Sequence, residues 1–150
     1  MRERLCRLAL VGLAGLSGAA PAACVRRAPV VLAPVTLVGT EWRLEDLGGR
    51  AVVDGSPATL AFVEPGRVAG RATCNQFHGP LVTDGERVVR AGPFAGTRMA
   101  CADDVRAEQE TRYLRALGEA ERVEHREPYL LVHVRGLERP LRFTRVAAPR

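Results

Sequence analysis

The sequence predicts an α+β domain in which a curved antiparallel sheet, built from hairpins, packs against one α-helix. Segments with strand-type alternation of apolar and polar residues lie both before and after a single helix-type segment. Short turn signals such as Asp84-Gly85 separate the strand segments, and no internal repeat is present. Because strands joined by short turns pair as antiparallel neighbours, we expect the sheet to be assembled hairpin by hairpin.

The composition limits the size of the protein and the kind of partner it can have. A chain of 150 residues is enough for one domain and too short for two comfortable ones. The formal net charge is +5, and all 22 basic side chains are arginines that alternate with acids along the chain. Since there is no long run of like charge and little aromatic interleaving, we predict that nucleic acid is not a partner.

The first residues have the three-part layout of a secretory signal. Arginines at positions 2, 4 and 7 precede an apolar run from Leu8 to Ala20, and small residues follow. The apolar run is too short and too rich in glycine to span a membrane, which takes about 20 apolar residues. We therefore predict export, with residues 1–23 as the signal peptide.

Two cleavage sites compete at the end of this signal. The run Pro21-Ala22-Ala23-Cys24 resembles a bacterial lipobox, although Pro21 stands where that pattern has leucine or another aliphatic residue. The alternative is a cut after Ala22, which would leave Cys24 as an unpaired thiol. Because a free exported thiol is a liability, we predict lipidation at Cys24 and a membrane anchor through this lipid.

A proline-containing tether precedes the folded domain. Residues 24–38 contain Pro29 and Pro34 and show neither a helical nor a strand period. We therefore place the tether at 24–38 and the domain at 39–146.

The domain is predicted to begin with a strand and two hairpins. Thr40, Trp42 and Leu44 share one strand face before a Gly48-Gly49 turn, and Trp42 is the expected first core residue. Turns at Pro65-Gly66 and at Asp84-Gly85 then separate further alternating segments.

One helix and two closing strands follow. Asp103 and Asp104 are expected to cap a helix over 105–117, with Gly118 as its stop. Its predicted apolar stripe contains Ala107, Glu110, Leu114 and Leu117. Glu110 is expected to reach solvent at the stripe edge or, if buried, to pair with an arginine. The closing strands are predicted around 130–134 and 141–143. His125 and His133 are expected to be ordinary polar residues of the surface or of a strand, and the glutamates between 119 and 127 to be solvated.

Cys74 offers the most reactive chemistry in the chain. His78 lies four residues after it, and a thiolate beside an imidazole is the start of a cysteine nucleophile. In an exported protein, however, Cys101 is available as a disulfide partner, because export removes Cys6 and lipidation consumes Cys24. We predict the Cys74–Cys101 disulfide; the alternatives are two unpaired thiols, or a metal or nucleophile site.

No complete catalytic or metal-binding set can be assembled from the remaining residues. The sequence has no phosphate-binding loop, no nucleophile elbow, no dinucleotide fingerprint and no zinc-type ligand spacing. We therefore predict a protein that is not an enzyme, with no catalytic residue, no metal and no cofactor.

These motifs together resemble the META domain family, the family of the HslJ-like heat-inducible envelope proteins. The resemblance covers about Gly39 to Val146. It rests on positions that it implies to be structural: Gly39, Thr40, Trp42, Cys74, Asn75, Phe77, Gly79, Thr97, Met99, Cys101, Glu110, Leu114, Leu117, Leu130, Leu141 and Phe143. One departure is Thr73, where the family commonly carries glycine before the Cys-Asn pair, so the local turn is expected to differ.

The resemblance implies an exported, often membrane-anchored domain associated with envelope stress, motility or secretion, without agreed catalytic residues. The predicted function is thus a non-enzymatic envelope lipoprotein that binds an envelope protein or peptide. The alternatives are a thiol enzyme that uses Cys74 with His78, and a carrier that encloses a small apolar ligand within its sheet.

Overall fold

The computed structural model describes residues 37–146. The predicted signal peptide, Cys24 and nearly all of the predicted tether lie outside these residues. Within them, no helix is both long enough and apolar enough to cross a membrane.

The described region contains nine strands and one helix. In chain order they are β1 (Thr40–Leu47), β2 (Thr59–Glu64), β3 (Arg67–Arg71), β4 (Gln76–Asp84), β5 (Arg87–Ala91), β6 (Ala95–Gly96), α1 (Asp104–Gly118), β7 (Ala120–Arg126), β8 (Tyr129–Val134) and β9 (Leu141–Arg145).

The sheet closes into a barrel, which corrects the prediction of a curved sheet, while the α+β class and the antiparallel hairpins are confirmed. The strand order is β3-β2-β1-β9-β8-β7-β5-β4, and β4 pairs in turn with β3, which completes an eight-stranded barrel. The short β6 lies beside β4 as an addition. Closure depends on β1 with β9 and on β5 with β7, and neither of these pairs is a hairpin. Turn signals in the sequence could not reveal them.

The barrel interior is filled by side chains. Trp42, Leu60 and Phe143 are fully buried, as predicted for the first of them. The other most deeply buried large side chains are Tyr113, Leu117, Leu130, Leu141, Val68 and Val132. Because alternate residues of each strand point inward and meet at the centre, the interior forms a packed core, which argues against the carrier hypothesis.

The helix is capped as predicted, and its buried face is displaced from the predicted stripe. Asp103 is the N-cap, and its side chain accepts a hydrogen bond from the backbone N–H of Arg106 at 2.9 Å, which lowers the pKa of Asp103. The buried residues are Gln109, Tyr113, Ala116 and Leu117. The predicted stripe is confirmed at Leu117 and partly at Leu114, which packs against the core, but it did not include the buried Gln109, Tyr113 and Ala116.

Three strands follow the helix, whereas the sequence indicated two. The strand that the sequence did not indicate is β7. Its Glu124 points away from the barrel interior but is only 7% exposed, although it was expected to be solvated. Its carboxylate accepts hydrogen bonds from Arg126 and His133, and these bonds lower the pKa of Glu124. His125 lies on β7 as a polar strand residue, one of the two roles expected for it, and its ring packs on Trp42 with ring centres 5.3 Å apart.

Candidate functional site

The motif residues from distant parts of the chain meet at the side chain of Asn75, which is only 6% exposed. Its Nδ2 donates to the Met99 carbonyl oxygen at 3.0 Å and to Glu110 Oε1 at 2.7 Å. Its Oδ1 accepts from the Met99 N–H at 2.7 Å and from the Thr97 hydroxyl at 2.8 Å. An amide can donate two hydrogen bonds and accept two in this way, so the hydrogen-bonding capacity of Asn75 is filled.

Glu110 is engaged in the same cluster. Its Oε2 accepts hydrogen bonds from the backbone N–H groups of Cys74 at 2.9 Å and Asn75 at 2.8 Å. The carboxylate is half-buried at the edge of the helix stripe, and its partners are amides and not the arginine expected for the buried case. Glu110 therefore serves to hold the turn at Cys74-Asn75 against the helix.

The disulfide between Cys74 and Cys101 is present, as predicted. It joins the turn before β4 to the loop before α1, with a Cα–Cα distance of 5.5 Å. Within residues 37–146, Cys74, Cys101 and Glu110 form the one close group of three metal-type ligands. Because the two sulfur atoms are bonded to each other, neither is a thiolate that could bind a metal.

The remaining motif positions have identifiable structural roles. The Trp42 indole donates to the Thr40 hydroxyl at 2.7 Å, and the Gly39 N–H donates to the carbonyl of Phe62 on β2. The Phe77 ring lies edge-on to Phe94 and to Tyr113, with centroid distances of 5.5 and 5.8 Å.

Gly79 is needed for a close approach between β4 and the loop before β6. A Cβ atom at this position would lie 2.7 Å from Phe94 Cδ1 and 2.9 Å from the carbonyl oxygen of Pro93. Met99 contributes to the cluster only through its backbone N–H and carbonyl groups. The residue as a whole is 60% exposed.

His78 does not form part of this cluster. It is exposed on β4, where strand alternation turns it away from the buried Phe77. With Cys74 in a disulfide, the structure does not bring together the thiolate and imidazole that the thiol-enzyme alternative needs.

The sequence did not reveal a second polar cluster, centred on Gln109. Its Nε2 donates to the Thr73 hydroxyl at 2.9 Å and to the Ser56 carbonyl at 3.1 Å, and its Oε1 accepts from the Val53 N–H at 2.7 Å. Gln109 thus ties the loop after β1 and the turn after β3 to the helix. A Thr or Gln in a loop or helix gives no periodic signal, so only the fold identifies this cluster.

Thr73 has a backbone conformation that favours glycine. Its φ is +141°, although it is not a glycine, and the residue is buried. The turn therefore keeps a glycine-type backbone at the position where the family commonly carries glycine. The hydrogen bond to Gln109 helps to hold this strained residue in place.

We expect Thr73→Gly to be more stable than Thr73→Ala by about 1 to 2 kcal/mol, since both lose the hydroxyl but only glycine relieves the positive φ. Urea unfolding of the two variants measures the difference. At an unstrained position the alanine variant is more stable than the glycine variant. That order of stability here would show that Thr73 stores no strain.

A shallow groove lies on the opposite side of the helix from the motif. It is formed by the end of β1, the second half of α1 and the turn after β8, and its volume is about 250 Å³. Its apolar floor consists of Leu47, Ala116, Val134 and Leu137, and its rim carries Arg50, Arg112, Arg115, Arg135 and Glu119.

Comparisons with known proteins identify the fold. A solved NMR structure that is 24% identical covers 75% of this chain and 94% of its own, with a TM-score of 0.59. An NMR structure of a protein from Burkholderia xenovorans is 27% identical over 75% of this chain and 85% of its own, with a TM-score of 0.57. No curated protein shows significant similarity. The family model described as META domain matches residues 35–147.

Proposed function

The chain belongs to the META domain family, and from this membership we propose that it is an exported, lipid-anchored and non-enzymatic binding module of the bacterial cell envelope. Its partner in this proposal is an envelope protein or peptide, in a setting related to envelope stress. Its working location is the periplasmic face of the envelope.

The observation that supports a non-enzymatic role is that the reactive groups of the motif are used to hold the fold. Cys74 and Cys101 are joined, and Asn75 and Glu110 accept from or donate to several main-chain groups at once. A catalytic residue needs at least one free position toward a substrate. The cluster joins the turn at Cys74-Asn75, the loop at 97–101 and the helix through hydrogen bonds.

An oxidising compartment is supported by the same disulfide. Structural disulfides persist in exported proteins and are rare in the reducing cytosol. The bridge closes a separation of 27 residues, which is long enough for cross-linking to stabilise the domain substantially. A chain built around this bridge is suited to the envelope.

We expect the mature protein to begin at a diacylated or triacylated Cys24. The reason is that small residues precede this cysteine, and that lipidation would leave Cys74 and Cys101 as a self-contained pair. Mass spectrometry of the N-terminal peptide from envelope-purified protein measures the modification, and Cys24→Ala provides the control that should abolish it.

An unmodified N-terminus at Ala23 would contradict the anchor while leaving export intact. A mature chain that still contains residues 1–23 would contradict export itself, and with it the proposed location.

A further inference from the structure

We propose that the arginine-rimmed groove binds an acidic peptide segment of a partner protein, with one large apolar side chain on its floor and carboxylates on its rim. This proposal deepens the binding-module function above and rests on it. The groove is the surface formed by Leu47, Gly48, Arg50, Arg112, Arg115, Ala116, Glu119, Val134, Arg135 and Leu137.

The charge of the groove indicates the sign of its ligand. Four arginines and one glutamate line it. Arg112 is paired with Glu108, and Arg135 with Glu121. Among the described residues, no carboxylate lies within 4.0 Å of the guanidinium of Arg50 or Arg115. These two groups keep their planar, bidentate donor sites available for incoming carboxylates.

The floor of the groove indicates an apolar anchor. Leu47, Ala116 and Val134 are each less than 10% exposed, so they form a fixed surface, whereas Leu137 is 43% exposed at its edge. Binding energy at protein interfaces concentrates on large apolar side chains that enter such a depression, surrounded by polar contacts. A peptide segment with one large apolar residue between acidic residues would place the apolar side chain on the floor and the carboxylates at the arginines of the rim.

The size and openness of the groove favour a peptide over a free small molecule. Small-molecule sites are usually about 300 to 1,000 Å³ and bury most of the ligand surface. This groove is smaller, at about 250 Å³, and it is open to solvent. A peptide that belongs to a larger partner can cover the open side with its own surface.

The groove lies at the opposite end of β1 from the point where the chain enters the barrel. The chain enters the barrel at Thr40, and the groove lies at Leu47, the other end of β1. At about 3.3 Å per residue, these ends are roughly 23 Å apart. Nucleic acid is disfavoured, because none of the described residues that line the groove is an aromatic on which a base could stack.

A selection from a displayed library of random 12-residue peptides tests the proposal. The bait is the full exported protein, immobilised through its N-terminus. We expect the enriched peptides to carry at least two Asp or Glu residues around a Leu, Phe or Trp. The best of these, made synthetically, should shift the backbone amide NMR signals of Gly48, Ala116 and Leu137.

Variants then locate the site. The double variant Arg50→Gln with Arg115→Gln should lower the affinity for the selected peptide by about tenfold or more, as expected for losing two charge-assisted contacts. The matched control is Arg71→Gln combined with Arg90→Gln, which removes the same charge from exposed positions on β3 and β5 and should leave affinity within about twofold. Leu137→Ser should also weaken binding. Thermal melts establish that all the variants fold.

Three results would overturn the proposal: no enrichment, enrichment of basic peptides, or equal binding of the selected peptide to both double variants. Separate titrations with dodecanoate and with phosphatidylglycerol vesicles examine the other occupants. If either of them shifts the groove amides and the selected peptide does not, the ligand is a lipid and the assignment is wrong. None of these results changes the N-terminal mass, so the proposed export and anchoring are tested independently.

Discussion

Asn75→Ala is expected to lower the free energy of unfolding by about 3 to 4 kcal/mol, a large share of the 5 to 15 kcal/mol that is typical of a domain. The substitution removes four side-chain hydrogen bonds at once. It leaves the Met99 N–H and one oxygen of Glu110, both in a partly buried cluster, without their partners, and an unsatisfied polar group that is shielded from water adds to the cost of the lost bond. Urea unfolding at neutral pH measures the change.

Gln76→Ala is the matched control, because this neighbour is exposed and uses only its backbone in the cluster. Its effect should stay within about 0.5 kcal/mol. If Asn75→Ala lowered the free energy of unfolding no more than Gln76→Ala does, the hydrogen bonds of Asn75 would not be responsible for holding the turn against the helix.

Reduction of the Cys74–Cys101 disulfide is expected to lower the melting temperature by about 10 to 20 °C. In the chain-entropy model, a bridge across a separation of 27 residues contributes about 3 to 4 kcal/mol. The bridge also joins two loops that Asn75 and Glu110 already hold together. Thermal melts with and without reductant measure the shift, and Cys101→Ser should reproduce it without reductant.

The double variant Cys74→Ala with Cys101→Ala controls for other effects of the reductant, so its melting temperature should not respond. Thiol titration of the unreduced protein should find neither cysteine free. Two reactive thiols in envelope-purified protein, with identical melts in both conditions, would contradict the bridge and reopen the thiol-enzyme alternative.

Much of the local structure could be predicted because it is encoded locally. The turns at Pro65-Gly66 and Asp84-Gly85 lie between strands that pair with each other, and the cap at Asp103 precedes its helix directly. The strand face of Trp42 also followed from simple alternation. In each case, the residues that specify the element are neighbours in the sequence.

The missed features depend on residues that are distant in the sequence. Strand β7 was hidden because Arg122, Glu124 and Arg126 interrupt its apolar alternation with an ion-paired outer face. Barrel closure between β5 and β7 depends on a single residue pair, Arg87 with Arg122. Neither segment signals this pairing by itself.

The candidate site could likewise be predicted only in part. The motif identified the cysteines, Asn75, Thr97 and Glu110 as a group, and the structure brings them together. It did not indicate that the partners of Glu110 are backbone amides. The groove was not predicted, because its residues come from three segments whose arginines look like ordinary surface residues in the sequence.

The pairing of β1 with β9 has a consequence for how this domain can be used in evolution. Trp42 lies opposite Arg145, and the Val146 N–H donates to the Glu41 carbonyl at 2.8 Å, so the chain enters and leaves the barrel at one place. A domain with adjacent ends can be fused to either end of another chain, or inserted into one of its loops, with little disturbance of the host fold. The adjacent strand ends therefore make this barrel suited to insertion into, or fusion with, another chain.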